Sequence, residues 1–151
     1  MSIQHVTGPE LTAAHVYGIW KIRDVVFAVE QQCDETDVDD LDLLASTSHL
    51  WFADVDGPTS YVRVLTDPDG ARRIGRVCTR LEHRGQGLSG QLVAEAIEVW
   101  GDGVMRLNAQ AYLESWYSRF GFVRNGENFI EASIDHVPME RAAARQGAQR
   151  P

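Results

Sequence analysis

A chain of 151 residues, 44% of them hydrophobic, is long enough for one domain with a buried core. Its net charge of −8, from 14 Lys and Arg against 22 Asp and Glu, disfavours nucleic acid as a partner. The sequence shows no charged-then-apolar leader and no long apolar run, so neither export nor a membrane is expected. Cys33 and Cys78 are too few and too far apart for a disulfide framework or a zinc site, and a reducing cytoplasm is the expected compartment.

In chain order, a short strand from Ile3 to Val6 leads into Thr7-Gly8-Pro9-Glu10, the pattern of a capping box with proline early in the first turn. A helix is expected to run on through Leu11, Val16, Ile19, Trp20, Val26 and Phe27, with a break near Glu30. Arg23 and Glu30 lie seven residues apart and so share a helical face. They are either an ion pair on the helix surface or part of a ligand-binding wall. Next, Asp34, Glu35, Asp37, Asp39, Asp40 and Asp42 crowd into nine residues. As a calcium loop counted from Asp37 this fails, because the sixth position is Asp42 rather than Gly and the twelfth is Ser48 rather than Glu. No metal site is expected.

Three strand-like runs follow: His49 to Val55, Thr59 to Leu65 and Ala71 to Thr79. The turns Asp56-Gly57-Pro58 and Asp67-Pro68-Asp69-Gly70 join them, as in an antiparallel meander. Arg72, Arg73, Arg76, Arg80 and Arg84 fall within thirteen residues. An anion beside these arginines and a cation beside the acidic run would suit that division; two solvated charged surfaces would suit it equally.

From Gly85 to Gly90 the chain makes a glycine-rich turn into a helix whose Leu88, Leu92, Val93, Ala96, Ile97 and Trp100 recur at helical spacing. Such a turn leaves amide N–H groups unpaired at the positive end of the helix dipole, an anion site to which Arg84 can add charge-assisted bonds. The six residues spell G-x-G-x-x-G, but a dinucleotide fingerprint should follow a first strand and be answered by an acid about 20 residues on. Here the residue 20 on from Gly90 is Gln110, and little chain remains for a second nucleotide half. No Gly-Lys-Ser/Thr follows, which excludes a Walker loop. After Gly101-Asp102-Gly103 a strand at Val104 to Leu107 should run parallel to Ala71–Thr79, because such crossovers are right-handed, and a parallel pair can part at its C-terminal ends to admit a ligand. A short helix from Ala111 to Phe120 and strands at Phe129–Ile134 and His136–Glu140 complete an α/β fold. Its sheet is expected to be mixed, mostly antiparallel, with helices on both faces. Residues 1–140 form the domain, and 141–151, rich in Ala, Arg, Gln and Gly, a flexible tail.

Arg84 to Ser89 also reads Arg-x-x-Gly-x-Ser, close to the R/Q-x-x-G-x-G/A loop with which GCN5-related N-acetyltransferases (GNAT) wrap the pyrophosphate of coenzyme A. Together with Arg23 to Gln31, Asp37, Asp39, Arg63-Val64-Leu65, Ile74-Gly75-Arg76-Val77, Ala109-Gln110-Ala111, Tyr117-x-x-x-Gly121-Phe122 and Ile134-x-His136-x-x-Met139, the chain resembles the ElaA-like branch of that superfamily. Two departures stand out: Ser89 replaces the usual Gly or Ala, and Ala111 sits near where many relatives carry a pantetheine-binding Asn.

The resemblance implies acetyl-CoA as co-substrate and a primary amine, on a small molecule or a peptide, as acceptor, joined by direct attack in a ternary complex. Val77-Cys78-Thr79 would hold the pantetheine by main-chain bonds, an N–H of Cys78 or Thr79 facing the oxyanion. Arg84, Gly85, Gln86, Gly87, Leu88, Ser89 and Gly90 would hold the diphosphate. Gln110 would orient a ligand or the pantetheine, unless it only bonds backbone. Tyr117 would protonate the leaving thiolate, a phenol of reference pKa about 10 suiting a thiol of about 8.5; a core aromatic is its plain alternative. The general base is open between Glu30, His136 and a relayed water, and Arg23, Glu30 and Gln31 would line the acceptor wall. Many relatives pair, so a homodimer is among the partners considered. Two rival readings are a non-catalytic acyl-CoA sensor and a dinucleotide-binding oxidoreductase.

Overall fold

Thr7 does form its capping box, donating from its N–H and its hydroxyl to Glu10 Oε1 at 2.7 and 2.8 Å. In the computed structural model, which describes residues 2–144, this cap follows strand β1 (Gln4–Thr7) and closes only a 3₁₀ turn, Gly8–Glu10. Helix α1 (Ala13–Arg23) starts afresh at Thr12, whose hydroxyl accepts from the His15 N–H at 3.1 Å. Past Arg23 the helix widens into a π-helical stretch over Asp24–Glu30, with the Gln31 N–H reaching back to Val26 O at 3.0 Å, and it ends at Glu30, where a break was expected. Arg23 and Glu30 do not meet: Arg23 turns to Asp37 and Asp42, Glu30 to Arg84.

Strands β2 (Ser48–Asp54), β3 (Gly57–Thr66) and β4 (Arg72–Thr79) form the expected meander. Helix α2 (Leu88–Trp100) then crosses over to β5 (Met105–Gln110), which runs parallel to β4. After α3 (Glu114–Ser118) come β6 (Val123–Arg124), a strand not anticipated from sequence, then β7 (Phe129–Glu131) and β8 (Ile134–Arg141). The sheet order is β1-β2-β3-β4-β5-β8-β6, with β7 also paired to β8. β8 runs one residue past the expected domain limit. Arg141 pairs with Met105 and donates to Phe120 O and Gly101 O, so it belongs to the sheet; the tail from residue 145 lies outside the described residues.

Two apolar layers hold the sheet. On one face α2 buries Leu92, Val93 and Ala96 against Val62, Val64, Ile74 and Leu107, each such aliphatic side chain contributing about 1.5–3 kcal/mol. On the other face Ile19 and Ile22 of α1 and Val26 of the π-helical stretch pack on Trp51, Tyr61 and Cys78.

The two features that open a site are both in β4. Its pairing with β5 stops at Ile74↔Leu107, beyond which the strands diverge. Just past that point β4 places two residues, Arg76 and Val77, between Gly75 and Cys78 where β3 places one, Val62, between Arg63 and Tyr61. The extra residue is Arg76, held at φ 53°: a β-bulge that turns the strand away from its neighbour.

Of the five clustered arginines only Arg76 meets the acidic run; Arg73 pairs with Asp67, Arg80 with Asp54 and Arg84 with Glu30. The other partners of the acidic run are Arg23 and Arg63. Arg23 of α1 donates to Asp37 at 2.8 Å and Asp42 at 2.6 Å, Arg63 of β3 to Asp39 at 2.7 Å and Asp42 at 3.1 Å, and Arg76 of β4 to Asp37 at 2.9 Å and Asp39 at 3.3 Å. The loop carrying the aspartates is thus clamped from three elements, forming one wall beside the fork.

Candidate active site

Between the diverging strands lies a cleft of about 920 Å³, running from the start of α2 to the face carrying the clamped loop. Its mouth is the glycine turn. Gly85 and Gly87 sit at φ 79° and 75°, the left-handed region that glycine enters freely. The first backbone bond of α2 is Gln91 N–H to Gly87 O, at 3.1 Å. Among the described residues, none of the six N–H groups from Gly85 to Gly90 finds a protein acceptor. That is more unpaired donors than a helix start alone supplies, gathered at its positive end: a cradle for an anion.

The side chains predicted to serve this turn divide. Arg84 is held by the protein itself, donating from Nε to Thr79 O and from Nη2 to Glu30 Oε1, both at 2.8 Å. This pair joins the cradle to the end of the π-helical stretch, and three of the five guanidinium N–H donors remain for a ligand. Ser89, where relatives carry Gly or Ala, shares a hydrogen bond of 2.6 Å with the Thr79 hydroxyl, which meets that of Ser60 at 2.8 Å. The serine therefore ties the first turn of α2 to the end of β4. Leu88 sends its side chain into the core, and Gln86 is exposed and lies outside the cleft lining, so only its main chain can serve the cradle.

Deeper in the cleft the end of β4 has a free edge. The Arg80 N–H crosses to Thr59 O of β3 at 2.9 Å. By strand alternation the N–H and C=O of Thr79 then point the other way, into the fork. Cys78 is 4% exposed and packs among the α1 layer, where burial pushes its thiol pKa far up; it has no nucleophile's character. Tyr117 is 5% exposed, T-stacked on Trp116 at 4.8 Å between ring centroids, and lines the cleft. Burial raises its pKa, keeping the phenol protonated.

Gln110 Nε2 donates to Gln31 Oε1 at 2.9 Å, so these two predicted residues meet across the cleft, bridging β5 and the end of the π-helical stretch. His136 also lines the cleft, stacked on Phe129. Its Nδ1 lies 2.8 Å from Ile134 O, and since a carbonyl only accepts, Nδ1 is the donor, which in the neutral ring makes Nε2 the acceptor. Nε2 stands 3.8 Å from Glu131. Arg23, by contrast, does not reach the cleft. It is 0% exposed and turned into its two aspartates, because a guanidinium beneath the loop must be ion-paired to be buried at all.

Sequence reasoning missed Gly75, Asn108, Glu35 and Glu131 as lining residues. The last depends on the β7–β8 hairpin, whose tip, Ala132 and Ser133, bonds Glu35 at 3.2 Å and Asp34 at 2.7 Å, closing the far end of the cleft. Among the described residues no three His, Cys, Asp or Glu side chains are grouped to hold a metal ion, and no helix is long and apolar enough to cross a membrane.

The same architecture recurs in an acyl-CoA N-acyltransferase from Pseudomonas aeruginosa (TM-score 0.86, 37% identity, 93% of this chain and 99% of that one). It recurs too in Escherichia coli ElaA (TM-score 0.85, 32% identity, 93% and 98%). The fold is that of the acyl-CoA N-acyltransferases. A family model described as Acetyltransferase (GNAT) domain matches residues 26–143, and in sequence E. coli ElaA is 33% identical over 138 residues, 87% of this chain and 90% of that protein. The chain belongs to the GNAT superfamily, in its ElaA-like branch. A UPF0039 protein of Mycobacterium tuberculosis is 40% identical over 149 residues, 96% of each chain. The dinucleotide reading of the glycine turn falls with this assignment.

Proposed function

We propose that the protein transfers acetyl from acetyl-CoA directly to a primary amine, both substrates being bound together. One observation carries the reading: six consecutive unpartnered amides, Gly85 to Gly90, open onto a cleft whose inner end holds a buried, protonated phenol. The amides and the spare donors of Arg84 suit a diphosphate. The free edge of β4 suits the amides of a pantetheine arm, and the Thr79 N–H, facing the fork, suits the oxyanion better than that of Cys78, which alternation turns towards β3.

Of the two side-chain candidates for the base, Glu30 is engaged by Arg84, whereas His136, whose Nδ1 donates to Ile134 O, has Nε2 free to act as the base in its neutral form. The balanced step is then as follows. His136 Nε2 takes one proton from the ammonium, the amine nitrogen bonds to the thioester carbon, the C–S bond breaks as Tyr117 gives its proton to the departing sulfur, the second proton lost by the nitrogen restores the Tyr117 phenol, and the proton on His136 passes to solvent. Glu30 serves to hold Arg84 in place. The test is thiol release from acetyl-CoA across a panel of primary amines and peptides. Amine-dependent release with the matching acetylated product is expected. CoA binding without turnover on any member would overturn the reading in favour of a sensor.

A further inference from the structure

Most charges lining the cleft are matched within the protein: Glu30 by Arg84, and Asp37 and Asp39 by the arginines of the clamp. Glu35 and Glu131 also line it, and neither has an arginine or lysine partner among the described residues. They stand side by side, since the N–H that Glu35 Oε1 receives at 3.2 Å is that of Ala132, the residue after Glu131. Asp34 and Asp135 next to them take hydrogen bonds from Ser133 and Asn128 and likewise lack a basic partner among the described residues. The far end of the cleft is thus a negative field left uncompensated, whereas the amide cradle is a positive one.

Carboxylates at a surface are ordinarily just solvated. These border a buried group with an unused acceptor. His136 is 7% exposed, and its Nε2, facing the cleft, makes no hydrogen bond among the described residues. A Glu131 carboxylate oxygen stands 3.8 Å away. In the neutral ring Nε2 only accepts, as does the carboxylate, so neither satisfies the other. A nitrogen about 3 Å from each fits across that gap, giving one N–H to the carboxylate and another to the imidazole. An alkylammonium supplies both bonds and the charge that Glu131 lacks. Ile134, opposite Glu131 in the hairpin register, lines the cleft as well and offers a methylene chain an apolar surface. Among the described residues no group could hold a metal ion, so this end suits an organic cation.

We propose that Glu131 and Glu35 form the cation subsite of the acceptor, Glu131 receiving the ammonium that reacts beside His136 Nε2 and Glu35 a second positive charge, so that the preferred acceptors are aliphatic diamines and polyamines. The proposal rests on the acetyltransferase reading above. Acetylation removes the charge held at Glu131, which loosens the product.

The experiment compares short α,ω-diaminoalkanes with 1-aminoalkanes of the same length and with an alanine-amide peptide, in wild type, Glu35→Gln and Glu131→Gln. Glutamine keeps an oxygen to accept the Ala132 N–H. Both carboxylates are exposed, so each contact has the strength of one surface ion pair. Wild-type kcat/KM for a diamine should exceed that for its monoamine by about fivefold, a gap that closes at high ionic strength. Glu35→Gln should bring the two within about twofold, and Glu131→Gln should raise the KM of both, while the CoA Kd measured by calorimetry stays within about twofold in either variant. Monoamines used as well as diamines, a diamine preference that survives Glu35→Gln or ignores salt, amine KM values indifferent to Glu131→Gln, or a preference for the peptide overturns the proposal and leaves the acetyltransferase reading standing. Absence of turnover by wild type on every amine overturns both.

Discussion

Replacing Arg23 with alanine separates two accounts of the same residue. As a member of the acceptor wall, its loss would raise an acceptor KM and leave stability alone. As the buried clamp described here, its loss removes three bonds, to Asp37 Oδ2 at 2.8 Å, Asp37 O at 3.0 Å and Asp42 Oδ1 at 2.6 Å, and the packing of its guanidinium on Tyr61. Breaking a buried pair by removing one partner costs about 3–5 kcal/mol, because the other charge stays buried. Here each carboxylate keeps a second arginine, Asp42 with Arg63 and Asp37 with Arg76, which places the loss near the lower end, about 3 kcal/mol. That is a large share of a domain stability of about 5–15 kcal/mol. With a urea m-value of about 2 kcal/mol/M, the unfolding midpoint falls by about 1.5 M, read by tryptophan fluorescence and circular dichroism together. A midpoint lowered by less than about 0.3 M would refute the clamp, since that corresponds to under about 0.6 kcal/mol.

Two further outcomes follow from the same structure. Tyr117→Phe keeps the ring that packs on Trp116 and Phe122 and removes only the proton donor, so kcat should fall by about 10²–10⁴ while CoA affinity, measured by calorimetry, stays within about twofold; equal losses in both would assign the tyrosine to binding. Acid should act through the clamp. Burial alone would raise the Asp39 pKa, but hydrogen bonds and charge from Arg63 outweigh it and hold the group at about 2, and Asp42 is lowered in the same way by Arg23. A carboxylate depressed in the folded state contributes stability above its unfolded pKa, near 4, and loses it as pH falls towards 2. Urea midpoints should therefore drop steeply over that window, less so in Asp39→Asn, and a flat profile there would contradict the pairing.

The parts of the fold that were legible from sequence are those written locally. A glycine turn before an apolar-periodic run announces both the helix and its bare amides, and a helix that crosses over between two strands returns β5 parallel to β4. The π-helical stretch was not legible. It differs from an α-helix by one residue per hydrogen bond, and Asp24 to Glu30 carry no composition that marks it. Nor was the clamp, since the pairing of Asp37, Asp39 and Asp42 with Arg23, Arg63 and Arg76 exists only once α1, β3 and β4 lie side by side. The bulge at Arg76 offers no glycine or asparagine to betray its positive φ. Gly75, where the bulge begins, did leave a signal, a glycine inside a strand-like run, but its meaning depends on the register of β3 and β4.

Main-chain amides at the start of α2 are proposed to hold the cofactor's diphosphate, and the most direct measurement is a titration of ¹⁵N-labelled protein with CoA followed amide by amide. The N–H resonances of Gly85 to Gly90 should move most and lose exchange with solvent, and inorganic pyrophosphate should reproduce those shifts without touching Thr79. If CoA binds while these six amides stay silent and the largest changes fall elsewhere, the cofactor sits in another place and the assignment of the site is wrong.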